Sequence, residues 1–308
     1  MPKVSIIILN WNGKKDTLEC LESLSKVKIK GFKLKIIVVD NGSTDDSLKV
    51  IRAKCHPALD AGSTQLIENP INLGFSEGNN VGIAEALKQK SDYILLLNND
   101  TDVDKNFIVE FVKVAKKHPE AAIFSPKIYF AKGYEFHKDR YKKEELGKVI
   151  WCAGGSMDWD NVFGINVGVD EVDTGQYDKV RRIAFATGAC ILIDAKALKK
   201  VGSFDKRYFT YFEDTDLSQR FLKNGYKIFY VPKSIIYHKV AQSSGIGSNL
   251  NDYFITRNRM LFGMKYAPLR TKIALFRESI RFLLFGRKWQ KTGIRDYYIG
   301  KFGKGSWQ

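Results

Sequence analysis

The first part of the chain alternates short runs of β-branched and aliphatic residues with longer segments whose apolar positions recur every three or four residues. The short runs predict strands at Val4–Leu9, Lys35–Val39, Gln65–Glu68 and Tyr93–Leu97. The longer segments predict helices at Thr17–Ser25, Ser47–Lys54, Gly78–Gln89 and Phe107–Lys117. Such alternation is typical of βαβ units, so we expect an α/β fold with a mostly parallel central sheet flanked by helices.

The pattern changes after about residue 130. A stretch rich in glycine, aspartate and aromatic residues, Trp151–Tyr177, predicts irregular loops and short strands. Beyond it the sequence predicts strands at Ile183–Ile193 and Lys227–Val231 and helices at Ala195–Val201 and Asp216–Asn224. We interpret residues 1–240 as one domain and residues 241–308 as a flexible loop followed by a basic helical extension.

Composition places the chain among soluble globular proteins. Its 308 residues are 44% hydrophobic and 27% charged, which is enough to bury a full core. No apolar stretch reaches the roughly 18 to 20 residues that a membrane-spanning helix needs, and the N-terminus does not have the pattern of a signal peptide. We therefore expect a cytoplasmic protein whose four scattered cysteines are reduced and structural.

The formal charge of +16 favours a polyanionic partner, and nucleic acid, anionic lipid and nucleotide-sugar phosphates all qualify. The region from Lys265 onward is the most basic, with only Glu278 and Asp296 as acids. Within it, residues 271–288 predict a helix with one apolar side bordered by cations. Such a helix either lies on an anionic membrane surface or packs on the domain. Nucleic acid is disfavoured because no zinc module, RNP-type sequence or recognition-helix pattern is present.

Polar residues follow three of the predicted strands. They are Asn10–Gly13, Asp40–Ser43 and Asn98–Asp102. Open parallel sheets bind ligands at the carboxyl ends of their strands, so these segments predict one site. The carboxylates of Asp100 and Asp102 suit a hard divalent cation that bridges diphosphate oxygens, although a polar turn before a helix would use the same residues.

Two further segments are suited to a nucleotide or a sugar. Asp40 or Asn41 could pair with a base or a ribose hydroxyl, or could form an Asx turn and helix cap. The segment Asn72–Gly82 combines glycines and amides at the start of a helix, where free backbone N–H groups favour phosphate or hydroxyl oxygens. Glycines with this spacing also occur in structural loops.

The second half contains a further candidate cluster, Phe209–Asp216, in which aromatic residues precede three acids. A carboxylate in a partly dry aromatic pocket has a raised pKa and can act as a general base, although acids also suit a helix N-terminus. His238 could complete a metal shell or contact phosphate, and Arg257 and Arg259 could close over a diphosphate. Ordinary structural roles are the alternatives for all three.

Together these motifs resemble family 2 glycosyltransferases, and the rhamnosyltransferase-like branch is the most similar. The segments that carry the resemblance are Val4–Asn12, Val38–Ser43, Asn72–Phe75, Gly78–Ile83, Leu97–Asp102, Thr187–Ile193 and Tyr211–Arg220. They occur in the family's order between Met1 and about Lys265. The resemblance implies a GT-A fold, a UDP- or dTDP-linked sugar donor, a Mg²⁺ or Mn²⁺ ion and inversion at the anomeric carbon.

The resemblance also implies roles for individual residues. Those near the nucleoside and donor are Leu9, Trp11, Asp40, Asn41, Asn72, Gly74 and Asn79. Asp100 and Asp102 match the metal motif, with Asn99 where some relatives have a second acid. Asp214 matches the catalytic base, with Glu213 as its substitute, and Thr187, Gly188 and Ala189 lie beneath the sugar and the acceptor.

The resemblance divides the expected domain into a nucleotide- and metal-binding half, residues 1–130, and an acceptor and base half, residues 131–240. The basic tail favours a lipid-linked glycan acceptor at the inner membrane face, with a soluble glycan or a protein as the alternative. We also expect the loop near residues 243–248 to order over bound donor. Two other classes remain open: a sugar-nucleotidyltransferase, for which no Gly-rich triphosphate loop is visible, and a non-catalytic nucleotide-sugar-binding scaffold.

Overall fold

A computed structural model of the protein describes residues 1–54, 64–240 and 248–307. Its strands are β1 (Lys3–Asn10), β2 (Lys33–Asn41), β3 (Thr64–Asn69), β4 (Tyr93–Asn98), β5 (Thr101–Val103), β6 (Ala121–Phe130), β7 (Ile150–Cys152), β8 (Gly155–Asp158), β9 (Phe163–Asn166), β10 (Arg181–Arg182), β11 (Cys190–Asp194) and β12 (Lys227–His238). Its helices are α1 (Lys14–Ser25), α2 (Ser47–Lys54), α3 (Gly74–Lys88), α4 (Phe107–Lys117), α5 (Ala195–Val201), α6 (Glu213–Lys223), α7 (Asn249–Tyr266), α8 (Leu269–Phe285) and α9 (Lys288–Tyr298).

The main sheet has the strand order β10-β12-β6-β11-β4-β1-β2-β3, with β5 alongside β12 and β7 alongside β6. Strands β1 to β4 are mutually parallel, as are β6 and β12, whereas β11 runs antiparallel to its neighbours β4 and β6. Because β11 is antiparallel to both β4 and β6, strand β6 points in the same direction as β4. Strands β6 and β12 therefore run parallel to β1 to β4. This confirms the expected α/β fold with a mostly parallel sheet.

Strand β1 shows why the sequence selects this architecture. Ile6 and Ile8 pack into the hydrophobic core that includes α1 and α4, whereas Ile7 packs into the core on the other face, which includes α3 and α5. A strand buried on both faces needs a continuous apolar run instead of strict alternation. The run of isoleucines therefore fixes β1 as an inner strand, between β2 and β4.

Two predicted elements differ from the structure around the same place. The strand predicted at Ile183–Ile193 forms only from Cys190, because the Gly188 N–H donates to the Asp214 carboxylate and not to a neighbouring strand. Helix α6 begins at Glu213, three residues before the predicted start at Asp216, because Phe212 at its N-cap has a left-handed backbone with φ 73°. Both differences involve the acids at the start of α6, because Asp214 accepts the Gly188 hydrogen bond and Glu213 is the first residue of the helix.

The C-terminal helices form a third core with the domain. Tyr208, Phe212, Phe262 and Leu275 are among its buried members. The helix predicted over residues 271–288 is divided, because α8 ends at Phe285 before Gly286 and α9 begins at Lys288. Among the residues that the structure describes, no helix is both long and apolar enough to cross a membrane.

Some sequence predictions fall partly outside the described ranges. Of the expected donor-covering loop only Ser248 is described, and its hydroxyl accepts from the Asn251 N–H at 3.3 Å to cap α7. Cys20, Cys152 and Cys190 are buried free thiols, as expected of reduced structural cysteines, whereas Cys55 lies outside the described residues.

Helix α3 packs on β1 so closely that Gly82 is required by space. A Cβ atom at Gly82 would lie 2.5 Å from Ile7 Cγ2. Helix propensity alone predicts that Gly82→Ala stabilises the fold by about 1 kcal/mol, whereas overpacking predicts a loss of about 1–3 kcal/mol. We expect the loss, measured as the free energy of unfolding in urea. A stabilised variant would contradict the close packing of α3 on the sheet.

Candidate active site

The register of the parallel strands brings the predicted polar segments to one edge of the sheet. Leu9 lies opposite Asn98, and Asn10 lies opposite Asp40. Because β1, β2 and β4 are parallel, the three segments that follow them leave the sheet side by side. The expectation that these strand ends share one region therefore holds in the structure.

A cavity of about 190 Å³ opens at this edge. The described residues that line it are Leu9, Trp11, Asn41, Asn72, Gly74, Phe75, Asn98, Asn99, Asp100, Phe209, Thr210, Tyr211 and Leu250. Seven of the residues predicted for donor or metal binding are in this set. Trp11 is 48% exposed, so much of its indole faces solvent at the cavity.

Asn41 organises the turn that forms one wall. Its side-chain amide donates to Asn72 Oδ1 at 3.0 Å and to the Gly74 carbonyl at 3.1 Å, while its Oδ1 accepts from the Leu73 N–H at 3.2 Å. Gly74 has φ +81°, and a Cβ there would lie 2.5 Å from Phe209 Cδ2. Glycine is thus required at this position by both backbone conformation and space.

Two predicted donor residues lie behind the cavity and not in its lining. The Asp40 carboxylate accepts from the Asn10 amide at 2.7 Å and from the Ser43 N–H at 3.0 Å, which is the Asx-type turn that the sequence left open. The Asn79 side chain donates to the Phe75 carbonyl at 2.9 Å within α3. Both are buried, so in this structure they hold the strand end and the helix start in place.

Asp100 and His238 meet at the end of β12. His238 Nε2 lies 3.1 Å from Asp100 Oδ1, and the Lys239 N–H donates to the Asp100 carbonyl at 2.9 Å. The His238 ring packs edge-on against Trp151, with ring centroids 4.7 Å apart. Its buried Nδ1 atom has no hydrogen-bond partner among the described residues.

Asp102 does not join this pair. It lines a separate groove with Glu19, Glu22 and Lys26, and burial raises the pKa of its carboxyl group while nearby Lys239 opposes that rise. The chain turns at Asp100 and then pairs as β5 with β12, where Asp102 lies opposite Tyr237. Asp102 therefore does not share a metal site with Asp100, contrary to the sequence prediction. The turn between the two residues directs their carboxylates to different places.

The Asp100–His238 pair offers two side-chain ligands to a divalent cation. Within the described ranges there is no group of three or more His, Cys, Asp or Glu residues that could hold a metal. Asp100 and His238 supply one carboxylate oxygen and one imidazole nitrogen at 3.1 Å, close to the separation of about 3 Å expected for neighbouring ligands of an octahedral ion. The pair therefore fits an ion that takes its other ligands from substrate oxygens or water.

The acid pair at the start of α6 is held by backbone groups. Asp214 Oδ2 accepts from the Gly188 N–H at 2.8 Å, and its Oδ1 accepts from the Thr215 N–H at 2.7 Å. Glu213 is buried, and its Oε2 atom has no partner among the described residues. Burial raises the pKa of Asp214, and burial together with the Asp214 charge raises that of Glu213 well above its usual range.

Asp214 lies next to the cavity without lining it. A Cβ placed on Gly188 would lie 3.2 Å from Phe75 Cζ and 3.5 Å from Asp214 Oδ2, so Phe75 connects the cavity wall to the acid. Thr187 and Ala189 are buried on either side, and the Ala189 carbonyl accepts from the Asn98 N–H at 2.9 Å. The segment predicted to lie beneath the sugar thus joins the Asn98 strand end to the acid pair.

Asp216, the third acid of the cluster, has a structural environment. It is fully buried and contacts Arg220 Nε at 2.6 Å, Lys265 Nζ at 2.7 Å and the Tyr266 hydroxyl at 2.9 Å. These bonds tie α6 to the end of α7. Its carboxylate is therefore committed to packing the extension on the domain.

The structure places Arg257 and Arg259 away from the cavity. Arg257 is fully buried, and its guanidinium donates to the carbonyls of Arg207 and Tyr208 at 3.2 and 3.1 Å. Arg259 donates to the Asn161 carbonyl at 2.7 Å and pairs with Glu278 at 2.6 Å. The expectation that they close over a diphosphate does not match these positions, because packing of α7 against the domain directs both side chains inward.

Several lining residues were not identified as site residues from the sequence. They are Phe75, Asn98, Phe209, Thr210, Tyr211 and Leu250. The strand-end rule that selected Asn99 and Asp100 applies equally to Asn98. The aromatic run before Glu213 signals Phe209 to Tyr211, whereas no local feature marks Leu250, which the start of α7 brings to the cavity.

Comparisons with known proteins agree with this geometry. The sequence profile of Glycosyl transferase family 2 matches residues 5–202, so the chain belongs to that family. The chain is 25% identical over 218 residues to the N-acetylglucosaminyl-diphospho-decaprenol L-rhamnosyltransferase of Mycobacterium tuberculosis, covering 68% of each protein. It is 22% identical over 261 residues to a low-salt glycan biosynthesis hexosyltransferase of Haloferax volcanii, covering 84% of this chain and 74% of that protein.

Solved structures support the fold. GalNAc-T7 with UDP, GalNAc and Mn²⁺ superposes with a TM-score of 0.64 at 16% identity, covering 97% of this chain and 57% of that structure. Staphylococcus aureus TarS 1-349 with UDP-GlcNAc gives 0.57 at 15% identity, covering 96% and 79%. The expected GT-A fold and the resemblance to family 2 glycosyltransferases are therefore confirmed, and the chain is a glycosyltransferase of that family.

Glu213 provides a test of the buried acid pair. The pKa of this carboxyl group is raised in the folded state above its ordinary value of 4.5. As the pH rises above 4.5, the unfolded chain loses the proton more readily than the folded protein does, so the folded protein becomes less stable. We expect Glu213→Gln to gain stability relative to the wild type between about pH 5 and about pH 8, by about 1 kcal/mol or more. Urea unfolding at the two pH values measures this. A difference that does not change with pH would contradict the burial of Glu213.

Proposed function

We propose that the protein is an inverting glycosyltransferase that moves a hexose from a UDP- or dTDP-linked donor to a hydroxyl group of a glycan or lipid-linked glycan. One observation carries the proposal. The cavity at the strand ends has the Asp100–His238 pair beside it, and Asp214 lies next to the cavity through Phe75 and Gly188. A diphosphate group and a base for the attacking hydroxyl can thus be held at neighbouring positions.

The cavity suits the nucleoside part of the donor. Trp11 offers an exposed ring face for stacking on a base, and the Asn41 and Asn72 amides lie on the same wall. Relatives with the same fold include structures with UDP-GlcNAc and with GDP-Man, which supports a nucleotide-linked donor.

Asp214 is suited to accept the proton of the acceptor hydroxyl. Its Oδ2 is held by the Gly188 N–H, its side chain is only partly buried, and its pKa is raised, which improves its strength as a base. Direct displacement by a hydroxyl that this group deprotonates would invert the configuration at the anomeric carbon. Glu213 is more deeply buried than Asp214, and burial together with the Asp214 charge raises its pKa well above the usual range.

Asp100 and His238 are the residues that would hold Mg²⁺ or Mn²⁺, and the ion when bound supplies positive charge that stabilises a departing diphosphate. Two solved structures with the same fold contain Mn²⁺, which supports a divalent ion. Asp102 takes no part in this proposal, because it lies in a separate groove.

The C-terminal helices support an acceptor at a membrane surface. Helix α8 buries Thr271, Leu275 and Ser279, whereas its strongly apolar side chains face outward. These exposed side chains are Leu269, Ile273, Phe276, Ile280, Leu283, Leu284 and Phe285. With cations along its border, this face fits the interface of an anionic bilayer. We infer that the protein works at the cytoplasmic face of the inner membrane. The name of the mycobacterial relative includes a sugar linked to a lipid diphosphate, and an acceptor of that kind would require this location.

The decisive experiment is a release assay with purified protein, Mn²⁺, a panel of UDP-, dTDP- and GDP-sugars and a glycan or lipid-linked glycan acceptor, with free nucleoside diphosphate as the readout. We expect Asp214→Asn to lower turnover of the active donor by about 10²-fold or more, because the base is lost, and to change donor binding by less than about threefold. Thr215→Ser serves as the matched control, because it keeps the hydroxyl beside Asp214.

Other outcomes distinguish the alternatives. Release of pyrophosphate from a nucleoside triphosphate and a sugar phosphate would identify a nucleotidyltransferase. Donor binding without release under every acceptor condition would identify a scaffold. Full turnover by Asp214→Asn would remove Asp214 from the mechanism.

Membrane binding is tested by co-sedimentation with vesicles. We expect the wild type to bind phosphatidylcholine vesicles that contain about one third phosphatidylglycerol, and to bind pure phosphatidylcholine about tenfold or more weakly, since each cation near anionic lipid contributes about 1 kcal/mol. The double variant Leu284→Glu, Phe285→Glu should lose binding. The control Ile29→Glu, Val180→Glu changes two exposed apolar residues elsewhere and should bind as wild type. Equal binding by both double variants would contradict the proposed surface.

A further inference from the structure

The loop before the acid pair has an unusual backbone. Phe209, Tyr211 and Phe212 have φ values of 64°, 65° and 73°, in the left-handed region that residues with a Cβ atom seldom adopt. Three such residues within four positions persist only when their surroundings determine the conformation. This segment, Arg207–Phe212, is called the strained loop below.

The strained loop is held by two adjacent residues of α7. The Asn258 side-chain amide donates to the carbonyls of Tyr208, Thr210 and Tyr211 at 2.8, 2.7 and 2.9 Å. The Arg257 guanidinium donates to the Arg207 and Tyr208 carbonyls. Buried backbone carbonyls need hydrogen-bond donors, which a neighbouring strand or helical turn usually provides. In this loop the side chains of Arg257 and Asn258 provide them.

Arg257 is unusual for a buried cation. Its guanidinium lies over the rings of Tyr253 and Phe254, 5.1 and 5.0 Å from their centroids. Among the described residues it forms hydrogen bonds only with neutral acceptors, and no carboxylate forms an ion pair with it. Burial of an arginine is costly, and here two of its hydrogen bonds go to backbone carbonyls of the strained loop, while the others go to Asn258, Tyr253 and Lys301.

The strained loop is also part of the candidate active site. Phe209, Thr210 and Tyr211 line the cavity, and the Phe209 carbonyl accepts from the Ser76 N–H at 3.0 Å at the start of α3. The Phe209 ring stacks on Phe254, with centroids 5.1 Å apart. Phe212 is the N-cap of α6, so the loop conformation sets where this helix begins. It therefore also sets the position of Glu213 and Asp214, the first two residues of the helix.

We propose that Arg257 and Asn258 are positioning residues for glycosyl transfer, which hold the strained loop so that the cavity wall and the acid pair of α6 keep their relative placement. This inference rests on the function proposed above. It gives the C-terminal extension a second role besides the membrane surface, because α7 shapes the site from behind. Neither residue contacts the donor in this role.

The test compares Asn258→Asp and Arg257→Lys with Ser279→Ala. The first replaces the amide donor by an acceptor that faces three carbonyls, and the second keeps the charge but loses the planar set of donors. Ser279→Ala is the matched control, since it removes hydrogen bonds of the extension to the Tyr298 hydroxyl at 2.6 Å and to the Phe276 carbonyl at 2.7 Å, and both partners lie outside the strained loop. All are measured by hydrogen exchange of the peptide over residues 207–212 and by steady-state nucleoside diphosphate release.

We expect exchange of the loop amides to rise about tenfold or more in both loop variants, with kcat per folded molecule falling about tenfold or more. Ser279→Ala should lower the unfolding temperature but leave both quantities within about twofold of wild type. Unchanged loop exchange, or faster exchange with unchanged kcat, would overturn the inference while leaving the Asp214 test intact. A wild type that turns over no donor would instead overturn the proposed function, and the inference with it.

Discussion

The parallel register of β1, β2 and β4 is the constraint on which the rest of the site depends. It places Leu9 opposite Asn98 and Asn10 opposite Asp40, so that three polar segments leave one edge of the sheet together. The continuous apolar run of β1 makes it an inner strand, paired with β2 on one side and β4 on the other. The cavity walls are built on these strand ends, and Asn41 then positions the Gly74 turn against Phe209.

The other wall of the site comes from distant parts of the chain. β12 brings His238 to Asp100, and α7 supports the segment that precedes Asp214. The first contact joins residues 138 positions apart and the second joins residues 48 positions apart, so this wall forms only when β12 and α7 are both packed on the domain. Tight packing of the extension and an outward apolar face on α8 are compatible, because α8 buries only a narrow stripe that includes Leu275.

The sequence predicted the first four strands and the helices between them well, since their signals are local. Strand ends and hydrophobic periodicity depend on neighbours within a few positions. Asp102 could not be placed correctly because its direction depends on pairing between β5 and β12. Arg257 could not be assigned because only the folded packing of α7 shows that it is buried. A surface arginine and a buried one have the same local pattern.

The most direct test of the account measures Mn²⁺-supported UDP binding by titration calorimetry for the wild type, Asp100→Asn and Asp102→Asn. If the diphosphate is held beside the Asp100–His238 pair, Asp100→Asn should weaken this binding by about tenfold or more. Asp102→Asn should leave it within about twofold, because that carboxylate lies in a separate groove. Strong loss in Asp102→Asn with normal binding in Asp100→Asn would contradict the account.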